Sequence, residues 1–152
     1  MQILIADDDP VYRTLLQSLL QEWRFDVSTA SDGAAALAML TQSGAPRLAI
    51  LDWMMPGMDG FEVCRRLRQR DGRNPYILLM TGNSQREELL TIILAGADDY
   101  LLKPFEPLDL KIRLRLAVRV IGLEDDSEFT SPNRELQSHL STMCSTLGES
   151  NE

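Results

Sequence analysis

The sequence is poor in the residues that build disulfide frameworks and transition-metal sites. Its 152 residues include only two cysteines, Cys64 and Cys144, and a single histidine, His139. Two cysteines cannot form the multiple cross-links of a small secreted domain, and a lone histidine without cysteine neighbours does not begin a zinc or copper site. The composition therefore excludes a disulfide-rich extracellular module and a transition-metal protein.

Long apolar runs are also missing. No stretch approaches the roughly 20 apolar residues of a membrane-spanning helix, and the first residues lack the basic segment of a secretory signal. We therefore expect no export and no membrane association, and we expect the protein in the cytoplasm.

Positive charge is scarce in the last part of the chain. Residues 123–152 contain seven acids and only Arg134, a formal net charge of −6, whereas residues 1–122 carry −2. One basic run does occur, and we interpret it as the solvated face of a helix. Its members are Arg65, Arg66, Arg68, Arg70 and Arg73. Because no DNA-reading motif follows, the sequence predicts no direct nucleic-acid binding.

What the sequence does contain is a regular alternation of strand-like and helix-like segments. Hydrophobic residues make up 44% of the chain, enough for one domain with a core and a short extension. The predicted strands are 2–6, 25–29, 47–51, 76–80 and 97–102, and the predicted helices are 10–23, 32–43, 59–70, 84–95 and 106–122. Such alternation predicts an α/β fold with a doubly wound, five-stranded parallel sheet.

Local signals set several helix boundaries. Asp9 is assigned as an N-cap, with Pro10 in the first turn. Ser84 with Glu87 forms a predicted capping box at the start of the fourth helix. Gly44 and Gly96 are predicted stop residues after the second and fourth helices.

The last predicted helix, 106–122, fits two patterns. Alternate residues from Leu108 to Leu116 are apolar, as in a strand, although a helical face is also present. That face comprises Leu110, Leu114, Ala117, Val118 and Ile121. Pro107 in a first turn and the need for a final crossover favour the helix.

Four predicted strands end in polar residues of different kinds. Asp7 and Asp8 follow the first strand, Asp52 the third, Thr81 the fourth and Lys103 the fifth. The carboxyl ends of parallel strands meet at one edge of a sheet, where ligands bind. We therefore expect these side chains to share a crevice.

The chemistry of that crevice is narrow. Clustered carboxylates repel one another unless a cation lies among them, and oxygen ligands suit Mg²⁺, with Mn²⁺ as a second candidate. A carboxylate can also attack a phosphoryl group while a hydroxyl and an ammonium group stabilise its oxygens. Asp52, Thr81 and Lys103 are candidates for these three roles.

Residues 1–122, with these motifs in order, resemble the receiver domain of two-component response regulators. The resemblance implies a flavodoxin-like sheet of order 2-1-3-4-5, with Asp52 as phosphoacceptor and Asp7 and Asp8 as an acidic pair. Thr81, Tyr100 and Lys103 are then the phosphate-contacting and switch residues.

The resemblance also implies further details of the site. Asp8 and Asp52 would bind Mg²⁺ by their side chains, Asp7 mainly through water, and Met54 through its backbone carbonyl. A cis peptide bond is expected before Pro104. The side chains of Met54 and Asn83 would flank the path of the hydrolytic water, and an apolar Met54 predicts slow dephosphorylation.

The implied function is a switch and not an enzyme, with at most slow self-dephosphorylation. A histidine kinase or phosphotransfer protein would donate the phosphoryl group, and the surface of helix 4, strand 5 and helix 5 would signal to a partner or to an output domain absent from this chain. Asp98, Asp99, Arg113 and Arg119 resemble part of a charged dimerisation face. With the apolar residues of helix 4, they predict a phosphorylation-enhanced homodimer. These apolar residues are Leu89, Leu90, Ile92 and Ile93.

Two other functions remain open. An aspartyl-nucleophile phosphohydrolase would use a similar sheet, although it normally places a second acid where this chain has Met54. A receiver-like scaffold could work without phosphate, but the intact acidic pair, Thr81 and Lys103 argue against it.

Residues 123–152 are predicted to be an acidic linker that includes a mobile stretch, 124–128. After Ser131 and Pro132, an apolar stripe is spaced as in a short amphipathic helix. The stripe consists of Leu136, Leu140, Met143 and Leu147. A frayed linker is an equal alternative, because so short a helix is marginal by itself.

Overall fold

The structure, a computed structural model, describes residues 1–82 and 86–126, and within these ranges strands and helices alternate. The strands are β1 (Gln2–Ala6), β2 (Asp26–Ala30), β3 (Leu48–Asp52), β4 (Tyr76–Thr81) and β5 (Asp99–Leu102). The helices are α1 (Pro10–Glu22), α2 (Gly33–Leu40), α3 (Gly60–Arg68), α4 (Arg86–Leu94) and α5 (Pro107–Asp126).

All strand pairs are parallel, and the sheet order is β2-β1-β3-β4-β5. The predicted fold and strand order are confirmed. The order reverses between β1 and β3, which is where an open α/β sheet leaves a crevice beyond its carboxyl ends. Ala6 lies opposite both Ala30 and Leu51 in the register, so the ends of the three strands are level.

The central strands β1, β3 and β4 supply most of the largest fully buried side chains of the core. Every residue of β3 is buried, as are Ile3 to Ala6 of β1 and Ile77 to Thr81 of β4. These continuous apolar runs are typical of parallel strands that are covered on both faces. Since full burial of one Leu or Ile side chain contributes roughly 1.5–3 kcal/mol, the sheet that carries the polar strand ends rests on a strongly stabilised core.

The element boundaries differ from the predictions by a few residues. Asp52 and Thr81 are the last residues of their strands and do not follow them, and β5 begins only at Asp99. Helix α2 ends at Leu40 with Thr41 as its C-cap, so the prediction of Gly44 as its stop residue is wrong. The Thr41 hydroxyl donates to the carbonyl of Ala38 at 3.1 Å, which ends the helix through a side chain.

The predicted N-cap of α1 and the predicted stop residue of α4 are confirmed. The Asp9 carboxylate accepts from the Val11 N–H at 2.9 Å, as predicted. Gly96 has a φ of +92°, and the N–H groups of Gly96 and Ala97 donate to the carbonyls of Ile93 and Ile92. This closes α4 with a left-handed glycine, as the sequence predicted. The capping box of Ser84 lies outside the described residues.

The segment that fits both a strand pattern and a helix pattern is helical, as predicted, and forms most of α5. Leu110 and Leu114 are buried, whereas Leu108 and Ile112 are exposed. The helix continues to Asp126, so the predicted helix end at residue 122 is wrong. Residues 123–126 contain neither proline nor glycine to stop the helix.

The chain divides into two units within α5. The first unit is Met1–Leu114, and the second begins at Arg115, of which the structure describes α5 as far as Asp126. The predicted apolar stripe after residue 131 lies outside the described residues. None of the helices in the described ranges is both long and apolar enough to cross a membrane.

Arg68 corrects the interpretation of the basic run. Arg65 and Arg66 do lie on an exposed face, where both pair with Glu62. Arg68 instead donates hydrogen bonds to the carbonyl of Gly96 (2.8 Å), the carbonyl of Pro75 (2.9 Å) and the carboxylate of Asp98 (2.8 Å). It is therefore a tertiary contact and not part of a solvated face.

Candidate functional site

The carboxyl edge of the sheet brings three carboxylates together. Asp7 follows β1 directly, Asp8 is next to it, and Asp52 ends β3. One carboxylate oxygen from each residue lies within 4.8 Å of the others. Asp7 is completely buried, Asp52 is 7% exposed and Asp8 is exposed. Two of the three charges are therefore held away from water, with the third at the mouth of the crevice.

Lys103 reaches this cluster from the loop after β5. Its Nζ lies 2.9 Å from Asp7 Oδ2 and 3.3 Å from Asp52 Oδ2. Burial by itself lowers the pKa of Lys103, but the hydrogen bond to Asp7 and the charge of Asp52 outweigh it, so the pKa is raised. The side chain is thus a cation fixed between two acidic residues.

Asp52 is an unusual carboxyl group because burial raises its pKa to about 6, despite the opposing charge of Lys103. The neighbouring Asp7 adds to the rise. A carboxylate in this environment gains from any further positive charge placed beside it. The site is therefore suited to a cation in addition to Lys103.

Backbone and helix contacts orient the acidic residues. Asp7 Oδ1 accepts from the Asp9 N–H at 2.9 Å, and the Asp7 carbonyl accepts from Arg13 Nη1 at 2.7 Å. These bonds leave Oδ2 of Asp7 for Lys103. The turn that opens α1 thus determines which oxygen of Asp7 faces the crevice.

Close packing orients Asp52. The Trp53 N–H donates to the carbonyl of Met80 at 2.8 Å, which continues the β3–β4 ladder past Asp52. A Cβ at Gly60, the first residue of α3, would overlap the carbonyl oxygen of Asp52. Only glycine allows this approach of α3 to the strand end.

Two other predicted residues, Thr81 and Met54, lie on the same edge or beside it. Thr81 is 4% exposed at the end of β4, and its carbonyl accepts from the Lys103 N–H at 2.8 Å. Met54 follows Trp53 and is 73% exposed. The Lys103–Pro104 peptide bond is cis, as predicted. Asn83 lies outside the described residues.

Tyr100 lies on β5 and is not part of the cluster formed by Asp7, Asp8 and Asp52. It is half-buried, and its ring is 5.5 Å from the Arg113 guanidinium. Arg113 also donates to Asp99 at 2.7 Å. Asp99 and Arg113, predicted as part of a dimer face, therefore form an ion pair within one chain.

Tyr12 and Arg13 of α1 both contact site residues, although no sequence motif pointed to them. The Tyr12 ring centroid lies 4.1 Å from Lys103 Nζ. The only local signal was their position in the first turn of the helix that follows the acidic pair, since polar side chains there face the same edge of the sheet.

A separate cleft of about 420 Å³ lies at the amino edge of the sheet. Its lining includes Gln2 and Pro75, and its charged residues are Arg47, Arg70 and Arg73. It contains none of the carboxylates described above, so this cleft and the acidic cluster are at opposite ends of the strands.

A family model for the response regulator receiver domain matches residues 3–115. The chain belongs to this family. The alkaline phosphatase synthesis transcriptional regulatory protein PhoP of Bacillus subtilis (strain 168) is 38% identical over 136 residues, which are 90% of this chain and 53% of PhoP. This chain therefore spans about half the length of that relative.

Solved receiver structures are also similar. The BeF3-activated N-terminal receiver domain of RstA from Klebsiella pneumoniae has a TM-score of 0.70 and 35% identity, over 78% of this chain and 99% of that one. The receiver domain of the sensor histidine kinase PA1611 from Pseudomonas aeruginosa PAO1 has a TM-score of 0.68 and 28% identity, over 77% and 96% of the two chains. That structure has a magnesium ion coordinated in its active-site cleft.

The acidic cluster of this receiver fits a divalent cation. All three donors are carboxylate oxygens, the ligands that hard cations prefer, and two of them come from one short segment, Asp7 and Asp8. Their separations require only small movements to share one ion. The site thus combines a set of carboxylate oxygens that suits a divalent cation with a half-buried lysine.

Proposed function

We propose that this receiver accepts a phosphoryl group on Asp52 from a histidine kinase or phosphotransfer protein, with Mg²⁺ bound by its acidic cluster. The observation that supports this most directly is the position of the Asp52 carboxylate, clustered with Asp7 and Asp8 and 3.3 Å from Lys103 Nζ.

The chemistry follows from these groups. An Asp52 oxygen attacks the phosphorus of a phosphohistidine, a P–O bond forms, the P–N bond breaks, and its electron pair returns to the imidazole. Asp8 and Asp52 would hold Mg²⁺ by their side chains, Asp7 through water and Met54 through its carbonyl, and the bound ion would supply positive charge against the phosphoryl oxygens. Lys103 and the Thr81 hydroxyl supply further positive charge and a hydrogen bond.

The signal would then pass through β4 and β5. The backbone hydrogen bond from Lys103 to Thr81 joins the two residues that contact the phosphoryl group, so both respond together. Movement of Thr81 would shift Tyr100 and remodel the surface of α4, β5 and α5 for a partner or an output domain. We propose that the domain works in the cytoplasm, without binding nucleic acid directly and without enzymatic turnover beyond slow self-dephosphorylation.

The test is intact-mass measurement after treatment with acetyl phosphate and Mg²⁺. We expect one added phosphoryl group on the wild type and none on Asp52→Asn, because an amide is a poor nucleophile. Asp9→Asn is the matched control, since it changes a nearby acid that caps α1, and asparagine caps helices equally well. It should keep wild-type labelling.

Labelling of Asp52→Asn at the wild-type level would refute the assignment of the acceptor. A wild type that takes no label from either acetyl phosphate or a phosphorylated histidine domain would favour the scaffold. Rapid release of many phosphates per molecule would favour the phosphohydrolase.

A further inference from the structure

Tyr12 contacts the lysine of the site through its ring. The centroid of the ring is 4.1 Å from Lys103 Nζ, well within the range of an attractive contact between an ammonium group and an aromatic face. The same ring packs against Phe105 at a centroid distance of 6.1 Å and an interplanar angle of 50°. Tyr12 is thus held by one aromatic neighbour while it meets the cation.

The contact restricts a side chain that is otherwise flexible. Lysine has four rotatable side-chain bonds and a compact, strongly hydrated charge. Here only 15% of the Lys103 side chain is exposed, and its ammonium group meets Asp7, Asp52 and the Tyr12 ring. The ring is the only one of these three partners that carries no formal charge.

That difference matters when the site is loaded. The attraction of Lys103 for Asp7 and Asp52 weakens when their charge is partly neutralised, by a bound divalent cation or by a phosphoryl group on Asp52. The negative face of an aromatic ring is unchanged by either event. Tyr12 can therefore keep the ammonium group at the crevice when its attraction to the two carboxylates is weaker.

We propose that Tyr12 is a positioning residue for Lys103, which keeps the ammonium group where an incoming phosphoryl oxygen arrives. The proposal rests on the function proposed above. It assigns a role to the ring face and none to the phenolic hydroxyl, so phenylalanine at this position should serve equally well.

The experiment compares Tyr12→Leu, Tyr12→Phe and wild type by two readouts. The first is the NMR shift of the Lys103 side-chain methylene protons, which an adjacent ring displaces. The second is the rate of phosphorylation by acetyl phosphate with Mg²⁺, together with the affinity for beryllofluoride measured by calorimetry. Trp23→Leu is the matched control, because it removes a ring near Lys111, at the other end of α1.

We expect Tyr12→Leu to lose the ring-induced shift and to lower the rate and the affinity roughly three- to ten-fold, the range that such a contact supports. Tyr12→Phe should keep both readouts, and Trp23→Leu should leave the site unaffected. In a Lys103→Ala background, Tyr12→Leu should have no further effect, because its role acts through the lysine.

Three results overturn the proposal: a Tyr12→Leu variant with wild-type rate and affinity, a Tyr12→Phe variant as impaired as Tyr12→Leu, or an undiminished effect of Tyr12→Leu in the Lys103→Ala background. Failure of the wild type to take the phosphoryl group is a different result. It would refute the proposed function itself, and Tyr12 would lose its role with it.

Discussion

At the residue scale, the site depends on charges held close together out of water. Burial raises the pKa of Asp52 to about 6, while the charges of Asp52 and Asp7 help to keep Lys103 protonated. Within the part of the chain that the structure describes, no buried side-chain polar atom lacks a hydrogen-bond partner. The buried polar atoms of the cluster therefore all have hydrogen-bond partners. Its three carboxylates still outnumber the single Lys103, and a bound cation would offset this excess of negative charge.

The lifetime of a phosphoryl group on Asp52 is a residue-scale property that we predict from Met54. Met54 is 73% exposed two positions after Asp52, and its thioether cannot orient water as an amide or an acid could. We expect Met54→Asn to speed dephosphorylation several-fold, measured as timed phosphate release after removal of the donor. Met54→Leu, which stays apolar, should keep the wild-type lifetime, and equal rates for all three proteins would refute this role.

At the element scale, Arg68 ties α3 to two neighbouring connections. Its guanidinium contacts Pro75 in the loop before β4, and Gly96 and Asp98 in the connection between α4 and β5. Asp98 also accepts from the Ile77 N–H at 2.8 Å, and burial raises its pKa. One arginine thus satisfies two carbonyl groups and a carboxylate where three elements meet.

We predict that Arg68→Met lowers the free energy of unfolding by about 2 kcal/mol, because it leaves partly buried acceptors without a donor. Arg65→Met is the matched control. Among the described residues, Arg65 pairs with Glu62 on the exposed face of the same helix, so its loss should change the free energy of unfolding far less than the loss of Arg68. Urea denaturation of both variants measures the difference, and equal midpoints would contradict the assigned role of Arg68.

At the scale of the whole molecule, the exposed apolar surface of α4 is the candidate contact between two copies of the chain. Ile92 is buried, but Leu90, Ile93 and Leu94 are 51%, 62% and 85% exposed. The acidic residues of the predicted dimer face are used within the chain, since Asp98 pairs with Arg68 and Asp99 with Arg113. A homodimer would therefore depend on apolar contacts of α4 more than on charge.

We predict that beryllofluoride with Mg²⁺ promotes a homodimer, and that Ile93→Glu prevents it by placing a charge in the apolar contact. Val11→Glu is the control, because Val11 is as exposed but lies on α1. Light scattering would measure the mass of the full chain and of a chain that ends at Asp126. A full chain that stays monomeric in both states refutes the dimer, and identical behaviour of the two lengths shows that residues 127–152 are not needed.

The sequence alone determined the fold and the residues at the strand ends. Apolar runs such as Leu48 to Leu51 signal buried strands because burial on both faces requires unbroken hydrophobicity. A polar residue after each run then lies at the carboxyl edge by topology. For this reason Asp52, Thr81 and Lys103 could be placed at one edge before any coordinates were known, although the roles assigned to them stay predictions.

Only the tertiary structure decided the contacts made by Tyr12 and Arg68. Tyr12 contacts Lys103 although the two residues are far apart in the sequence, and Arg68 contacts Asp98, which is 30 residues away in the sequence. Neither residue interrupts a local pattern, since an aromatic in a first helical turn and an arginine in a basic run are both ordinary. The packing of helices on the sheet sets these distances, and that packing is a property of the whole core, which no short segment of sequence contains.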